Sequence, residues 1–160
     1  MMAGKLILTT PSAREIVVTR ELNAPRDLVF ECLTTPKLLQ RWMLGPPGWT
    51  LPVCEFEAKT GGVFRYVWRS PEGQEMGMGG TIEIFEPPAR IVQTEIFDQD
   101  WTGGRTQVTT QFTEADGKTI LTMTIVYASQ EARDGALKSG MTEGMEMGYG
   151  KLDALLAELV

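Results

Sequence analysis

The stretch SGMTEGMEMGYGKLDALLAELV, Ser139 to Val160, decides the fold. Gly140, Gly144 and Gly148 recur every fourth residue beside Met141, Met145, Tyr149, Leu152 and Leu156, so on a helix a smooth strip and an apolar strip share one inward face. Each glycine inside a helix costs about 1 kcal/mol relative to alanine, and three in register oppose the helix by roughly 3 kcal/mol. Close approach to a sheet, or to a ligand, supplies the compensating reason. Two readings follow: a helix packed on a sheet as plain core, and a helix that also lines a cavity. The spacing also matches dimerising membrane helices, but Glu143, Glu146, Lys151, Asp153 and Glu158 interrupt it and no stretch reaches the length of a membrane span.

Working back from that helix, the period changes to two. Strands are expected over Arg14 to Leu22, Thr50 to Ala58, Val63 to Ser70, Gln74 to Phe85, Arg90 to Asp98, Arg105 to Glu114 and Lys118 to Tyr127. Turn residues such as Thr60-Gly61-Gly62, Pro71-Glu72-Gly73 and Ala115-Asp116-Gly117 join them as serial hairpins. Inward positions are Phe64, Tyr66 and Trp68; Gly80, Ile82 and Ile84; Val108, Thr110 and Phe112; Leu121, Met123, Ile125 and Tyr127. Between the first two strands, Pro25 starts a short helix with Leu28, Val29, Cys32 and Leu33 on its apolar side, and Thr34-Thr35-Pro36 opens another over Lys37 to Met43. The expected architecture is α+β: a seven-stranded curved antiparallel sheet, two short helices after the first strand, and a long C-terminal helix. Residues 1–160 read as one domain with its core over about 14–158, without repeats or low-complexity runs.

Composition narrows the chemistry. At 160 residues a chain buries about 70% of its unfolded surface without metals or disulfides. With 15 basic against 21 acidic residues the net charge is -6, which argues against nucleic-acid and anionic-lipid partners. Two cysteines, Cys32 and Cys54, make no disulfide framework, and the N-terminal residues contain no signal-peptide core, so a cytoplasmic location is expected. No histidine occurs anywhere, which removes Ser-His and Cys-His catalysis and the usual zinc and non-haem iron ligand sets. No metal, cofactor or catalytic residue is assigned.

The string Arg20, Ala24-Pro25, Val29-Phe30, Thr34, Pro36, Leu39, Trp42 resembles the opening of the activator-of-heat-shock-protein-ATPase homologue family, within the START-like (SRPBCC) superfamily. Gly61-Gly62-Val63-Phe64-Arg65-Tyr66, Gly80 with Ile84 to Arg90, and Gly140-Met141-Thr142-Glu143-Gly144-Met145 leading to Leu152 are similar to later blocks of that family. The chain departs from it at Met43, where relatives often carry a second tryptophan. The resemblance implies a helix-grip fold, as in the birch-pollen allergen, with a cavity between sheet and terminal helix. Members of the superfamily bind lipids, sterols, polyketides and other apolar molecules, and a few are cyclases or hydrolases.

Projecting the inward positions toward the helix brings together Trp68, Met76, Met78, Met123, Tyr127, Met141, Met145 and Tyr149, with Trp101 in a glycine-rich loop as a ligand contact or gate. The sequence holds nine methionines, whose flexible side chains suit irregular ligands and equally suit loose core filling. Trp42 and Trp49 flank the Gly45-Pro46-Pro47-Gly48 turn, where such rings guard a cavity mouth or, for Trp42, plug the end of the sheet as core. Arg20 falls on the inward register and requires a carboxylate partner, expected near the first helices. Glu95 faces inward if its strand presents Ile91, Gln93 and Phe97, and outward if it presents Val92, Thr94 and Ile96; the two registers are equally apolar. The leading function is binding of a small apolar or aromatic molecule. An enzyme of cyclase or hydrolase type using Tyr66, Tyr127, Tyr149 or an inward glutamate comes second. A chaperone-interacting module ranks last, because the chain reads as the START-like unit alone.

Overall fold

The alternation becomes strand pairing along most of the chain. The computed structural model describes residues 5–99 and 104–160. Its elements are β1 (Ile7–Thr9), β2 (Glu15–Leu22), α1 (Arg26–Thr34), α2 (Pro36–Trp42), β3 (Thr50–Phe56), β4 (Val63–Arg69), β5 (Glu75–Glu86), β6 (Arg90–Phe97), β7 (Thr106–Ala115), β8 (Lys118–Val126), α3 (Gln130–Lys138) and α4 (Met141–Leu159). One antiparallel sheet has the order β1-β2-β8-β7-β6-β5-β4-β3. The class is α+β, as the sequence predicts, but the sheet has eight strands rather than seven. The additional strand is β1, in which Ile7 pairs with Thr19 and Thr9 with Val17 along the free edge of β2.

The helices differ in detail too. Residues 130–138, unassigned by periodicity, form α3, capped by the Ser129 hydroxyl accepting from the Ala132 N–H. The long helix starts at Met141 rather than Ser139. Gly140 is its N-cap with φ of 85°, a left-handed conformation that a side chain would oppose, so this glycine turns the chain from α3 into α4 instead of belonging to the stripe.

One face of the sheet and the inward faces of α1, α2 and α4 build the core. Val29, Phe30 and Cys32 come from α1, Leu39 and Trp42 from α2, and Leu152, Leu155 and Leu156 from α4. A bulge between Ile82 and Ile84 corrects the expected inward set on β5: the extra residue there turns Phe85 inward, where its ring meets Phe30 at 5.4 Å and Phe56 at 6.3 Å. Ile84 is displaced from that face. Beyond the bulge the pairing continues as Phe85 to Ile91 and Glu86 to Arg90.

Arg20 finds its carboxylate on α4, not near the first helices. Its Nη2 donates to Asp153 Oδ2 at 2.6 Å and its Nη1 to Asp153 Oδ1 at 3.2 Å, while Nη1 also donates to the Glu21 carbonyl at 2.7 Å. The guanidinium carbon lies 5.9 Å from the centre of the Tyr149 ring, and Trp42 stacks on that ring at 6.0 Å. A bidentate pair thus clamps α4 to β2, across from the aromatic stack. Asp153→Ala leaves a largely buried guanidinium short of its partner and is expected to cost about 2 kcal/mol, below the usual loss for a fully buried pair because Asp153 retains 31% exposure. The double variant Arg20→Met with Asp153→Leu is expected to recover most of that loss. A urea titration that shows the double variant at least as unstable as the single one contradicts this account.

Candidate functional site

Between α4, the α2–β3 connection and the sheet lie two adjoining chambers. The first, about 440 Å³, has an aromatic and sulfur-rich wall: Trp42 and Trp49 from the ends of the α2–β3 connection, Trp68 and Met76 from the hairpin β4–β5, Met123 from β8, and Met145 and Tyr149 from α4. The second, about 410 Å³, is walled by Glu95 and Phe97 of β6, Thr106 of β7, Ile125 and Tyr127 at the end of β8, and Ala136 and Ser139 of the α3 region. Pro46, Met76, Met141 and Gly144 line both, so the chambers meet along one seam under the first turn of α4.

Local chemistry fixes the walls. The Trp68 indole N–H donates to the Met43 carbonyl at 2.9 Å, tying β4 to the segment after α2. The Trp42 indole N–H donates to the Cys32 carbonyl at 2.9 Å, so this ring is buried core and chamber wall at once. On β4, Phe64, Tyr66 and Trp68 form a ladder of rings with centres 5.1 and 5.8 Å apart. The Tyr127 hydroxyl points at Met141 Sδ, 3.8 Å away. Gly144 has open space where a side chain would begin, whereas a Cβ at Gly148 would lie 3.7 to 4.0 Å from the Trp42 backbone oxygen and ring.

Glu95 is the one ionisable carboxyl among the described residues lining the chambers. It pairs across the sheet with Gly80 and Thr106, which settles the register of β6 with Ile91, Gln93, Glu95 and Phe97 inward. Burial pushes its pKa up to about 7, against a smaller opposing effect of the Gln93 side chain, whose Nε2 donates to Glu95 Oε2 at 3.0 Å. Burial first, and the nearby Glu95 carboxyl second, push Tyr127 up to about 12, and Tyr66 is raised by burial, Cys54 and Glu95. Burial also raises both thiols, Cys32 and Cys54, to about 11, which suppresses the thiolate a nucleophile needs. No group of side chains among the described residues is arranged to hold a metal ion, and no helix is long and apolar enough to cross a membrane.

Residues 23–157 match the family described as activator of Hsp90 ATPase homolog 1-like protein. The chain belongs to this family. A crystal structure of a Rhodobacter sphaeroides protein is similar to this member of the family at 37% identity, covering 97% of this chain and 99% of that chain with a TM-score of 0.92. A Mycobacterium smegmatis protein is 25% identical, with 97% of each chain covered and a TM-score of 0.82. A Nitrosomonas europaea protein, at 22% identity, 94% and 100% coverage and a TM-score of 0.81, shares the fold. A comparison with curated proteins finds no match.

On this family's framework the residues expected at the site separate. Trp68, Met123, Met145 and Tyr149 line the first chamber, Tyr127 the second, and Met76 and Met141 both. Met78 lines neither: it is 6% exposed and packs in the core, opposite Tyr66 in the β4–β5 ladder. Trp101 lies outside the described residues. Periodicity placed Phe97 inward in only one of two open registers and missed Thr106 and Ser139, because a chamber wall assembled from strand ends and a helix junction has no repeat of its own.

Proposed function

We propose that this protein binds a small apolar or aromatic molecule in the paired chambers beneath α4. The observation that carries this reading is the seam itself: two hollows of about 440 and 410 Å³ meet at Gly144, a position that keeps a helix-weakening residue where an added side chain would occupy open space. Volumes of this size fall in the range of small-molecule sites, and walls of methionine and aromatic rings adapt to irregular apolar guests. The apolar ligands implied by the superfamily agree with it.

Native mass spectrometry of freshly purified protein, followed by melting scans against lipids, sterols and polyketide-like compounds, tests the proposal. A ligand at one hundred times its Kd stabilises the fold by about 3 kcal/mol, which raises Tm by roughly 6–12 °C for a chain of this size. No bound mass and no shift across the library would reject it.

A second reading has one specific observation behind it. Glu95, near neutrality in its pKa and close to Tyr127, has the character of a general acid or base for a cyclase- or hydrolase-type reaction on an apolar substrate. Turnover of a bound compound that persists in Glu95→Gln removes this reading.

A further inference from the structure

A plain hydrocarbon in these chambers leaves Glu95 unused. Its carboxyl offers about four acceptor sites when ionised, and Gln93 occupies one. The chamber it lines is otherwise walled by apolar residues such as Phe97 on its own strand, Met76 on β5, Ile125 near the end of β8 and Met141 on α4. Among the described residues lining either chamber there is no lysine or arginine. Arg20, on the inward register of β2, is committed to Asp153, and Arg14 and Arg133, which lie near the Tyr127 end, donate to the Tyr127 and Ser12 carbonyls. A carboxyl placed in an apolar hollow without a protein cation either keeps its proton or takes a counter-charge from a guest.

We propose that the cavity takes an apolar amine, its ammonium paired with Glu95 in the chamber of Tyr127 and its hydrocarbon or aromatic body in the chamber of Trp68 and Met145, an inference that rests on the ligand-binding function proposed above. The shared seam at Met76, Met141 and Gly144 lets one molecule occupy both hollows. The net charge of -6 favours approach of a cation over an anion.

The pairing also dictates a pH dependence. In the empty cavity burial holds Glu95 up to about 7, and an ammonium beside it reverses that cause by favouring the ionised form. The other groups facing Glu95 are Gln93 of β6, Tyr66 of β4, Thr106 of β7, Tyr127 after β8 and Met141 of α4. The two tyrosines keep their protons throughout the neutral range, since both are raised further above it. Below about pH 7 the amine must displace a proton from Glu95 to bind, so its affinity falls by about tenfold per pH unit; above it the affinity levels off.

Three probes with one body and different heads test this by calorimetry on the full chain at pH 8: 4-phenylbutylamine, 4-phenylbutan-1-ol and 4-phenylbutanoate. The amine is expected to bind about tenfold tighter than the alcohol, with the carboxylate weakest, because a charge-assisted contact in a half-buried apolar site exceeds a neutral one. Glu95→Gln is expected to remove the amine's advantage, and on the wild-type chain only the amine should weaken below pH 7. Equal affinity of amine and alcohol, or an amine affinity flat from pH 5 to 8, overturns the ammonium pairing while the cavity reading stands. Failure of all three probes to bind overturns the ammonium pairing, and with no bound mass and no shift across the library above the cavity reading falls too.

Discussion

Gly144→Leu is expected to make the protein more stable and worse at binding. A leucine at this position inside α4 gains about 0.8 kcal/mol in helix propensity over glycine, which corresponds to a rise in Tm of roughly 2–3 °C. The first carbon of the side chain meets no opposition, since an added Cβ at Gly144 has no atom within 4 Å. Long side chains on a helix lean toward its N-terminus, which carries the leucine over the seam beside Met141 and into the space that both chambers share. A guest then has to overpack or retreat, at about 1–3 kcal/mol, a loss on the order of 10- to 100-fold in affinity. Gly148→Leu provides the contrast. A Cβ there would already be in van der Waals contact, 3.7 Å from the Trp42 backbone oxygen and 3.9 Å from its ring, so a leucine's further atoms have to crowd a buried tryptophan. One substitution, made four residues apart on one helix face, should therefore raise Tm at Gly144 and lower it at Gly148. Melting scans with and without ligand read both effects, and a Gly144→Leu protein that binds as well as the wild type places the ligand elsewhere.

That contrast shows what a periodic pattern conveys. The four-residue spacing of glycines announces a helix under close constraint, yet the three positions answer to different physics: Gly140 to a left-handed backbone, Gly144 to open volume and Gly148 to contact with Trp42. The strands β2 to β8 were legible because each runs for seven or more residues between turn or breaking residues. The strand Ile7–Thr9 is too short to display a period, and α3 is polar with Gly135 inside it, so its strongest local signal was the capping Ser129. Phe85 replaced Ile84 on the inner face because a single inserted residue reverses every later side chain, and nothing in the composition of β5 marks where the insertion falls. The partner of Arg20 lies 133 residues away on α4, beyond the reach of any local pattern, although the need for a partner was legible from the charge itself. The register of β6 was ambiguous for a similar reason: both faces carry apolar residues, and only the ladder to Gly80 and Thr106 turns Glu95 toward the cavity.

The cost of that inward turn predicts the second large effect. Glu95 has an ordinary carboxyl pKa of 4.5 when the chain is unfolded and about 7 when it is folded and empty. Below pH 4.5 both states hold the proton and the residue contributes nothing to the pH dependence. Between 4.5 and about 7 the unfolded chain releases the proton while the folded one retains it, so stability falls as pH rises; above 7 both are ionised and the penalty is constant. A displacement of this size corresponds to about 3 kcal/mol, caused chiefly by desolvation and reduced by the Gln93 hydrogen bond. Glu95→Gln keeps the size and the hydrogen-bonding partner of the side chain but carries no charge to desolvate. The variant should therefore differ little from wild type at pH 5 and melt roughly 4–10 °C higher at pH 8, with the gap opening between those values. Measuring the gap, rather than either curve alone, cancels the remaining carboxylates, which titrate alike in both proteins. A gap that stays constant from pH 5 to 8 means that the Glu95 carboxyl is solvated in the empty protein, and a wild-type chain that recovers the variant's stability at pH 8 on adding 4-phenylbutylamine, but not 4-phenylbutan-1-ol, shows the missing counter-charge being supplied by the guest.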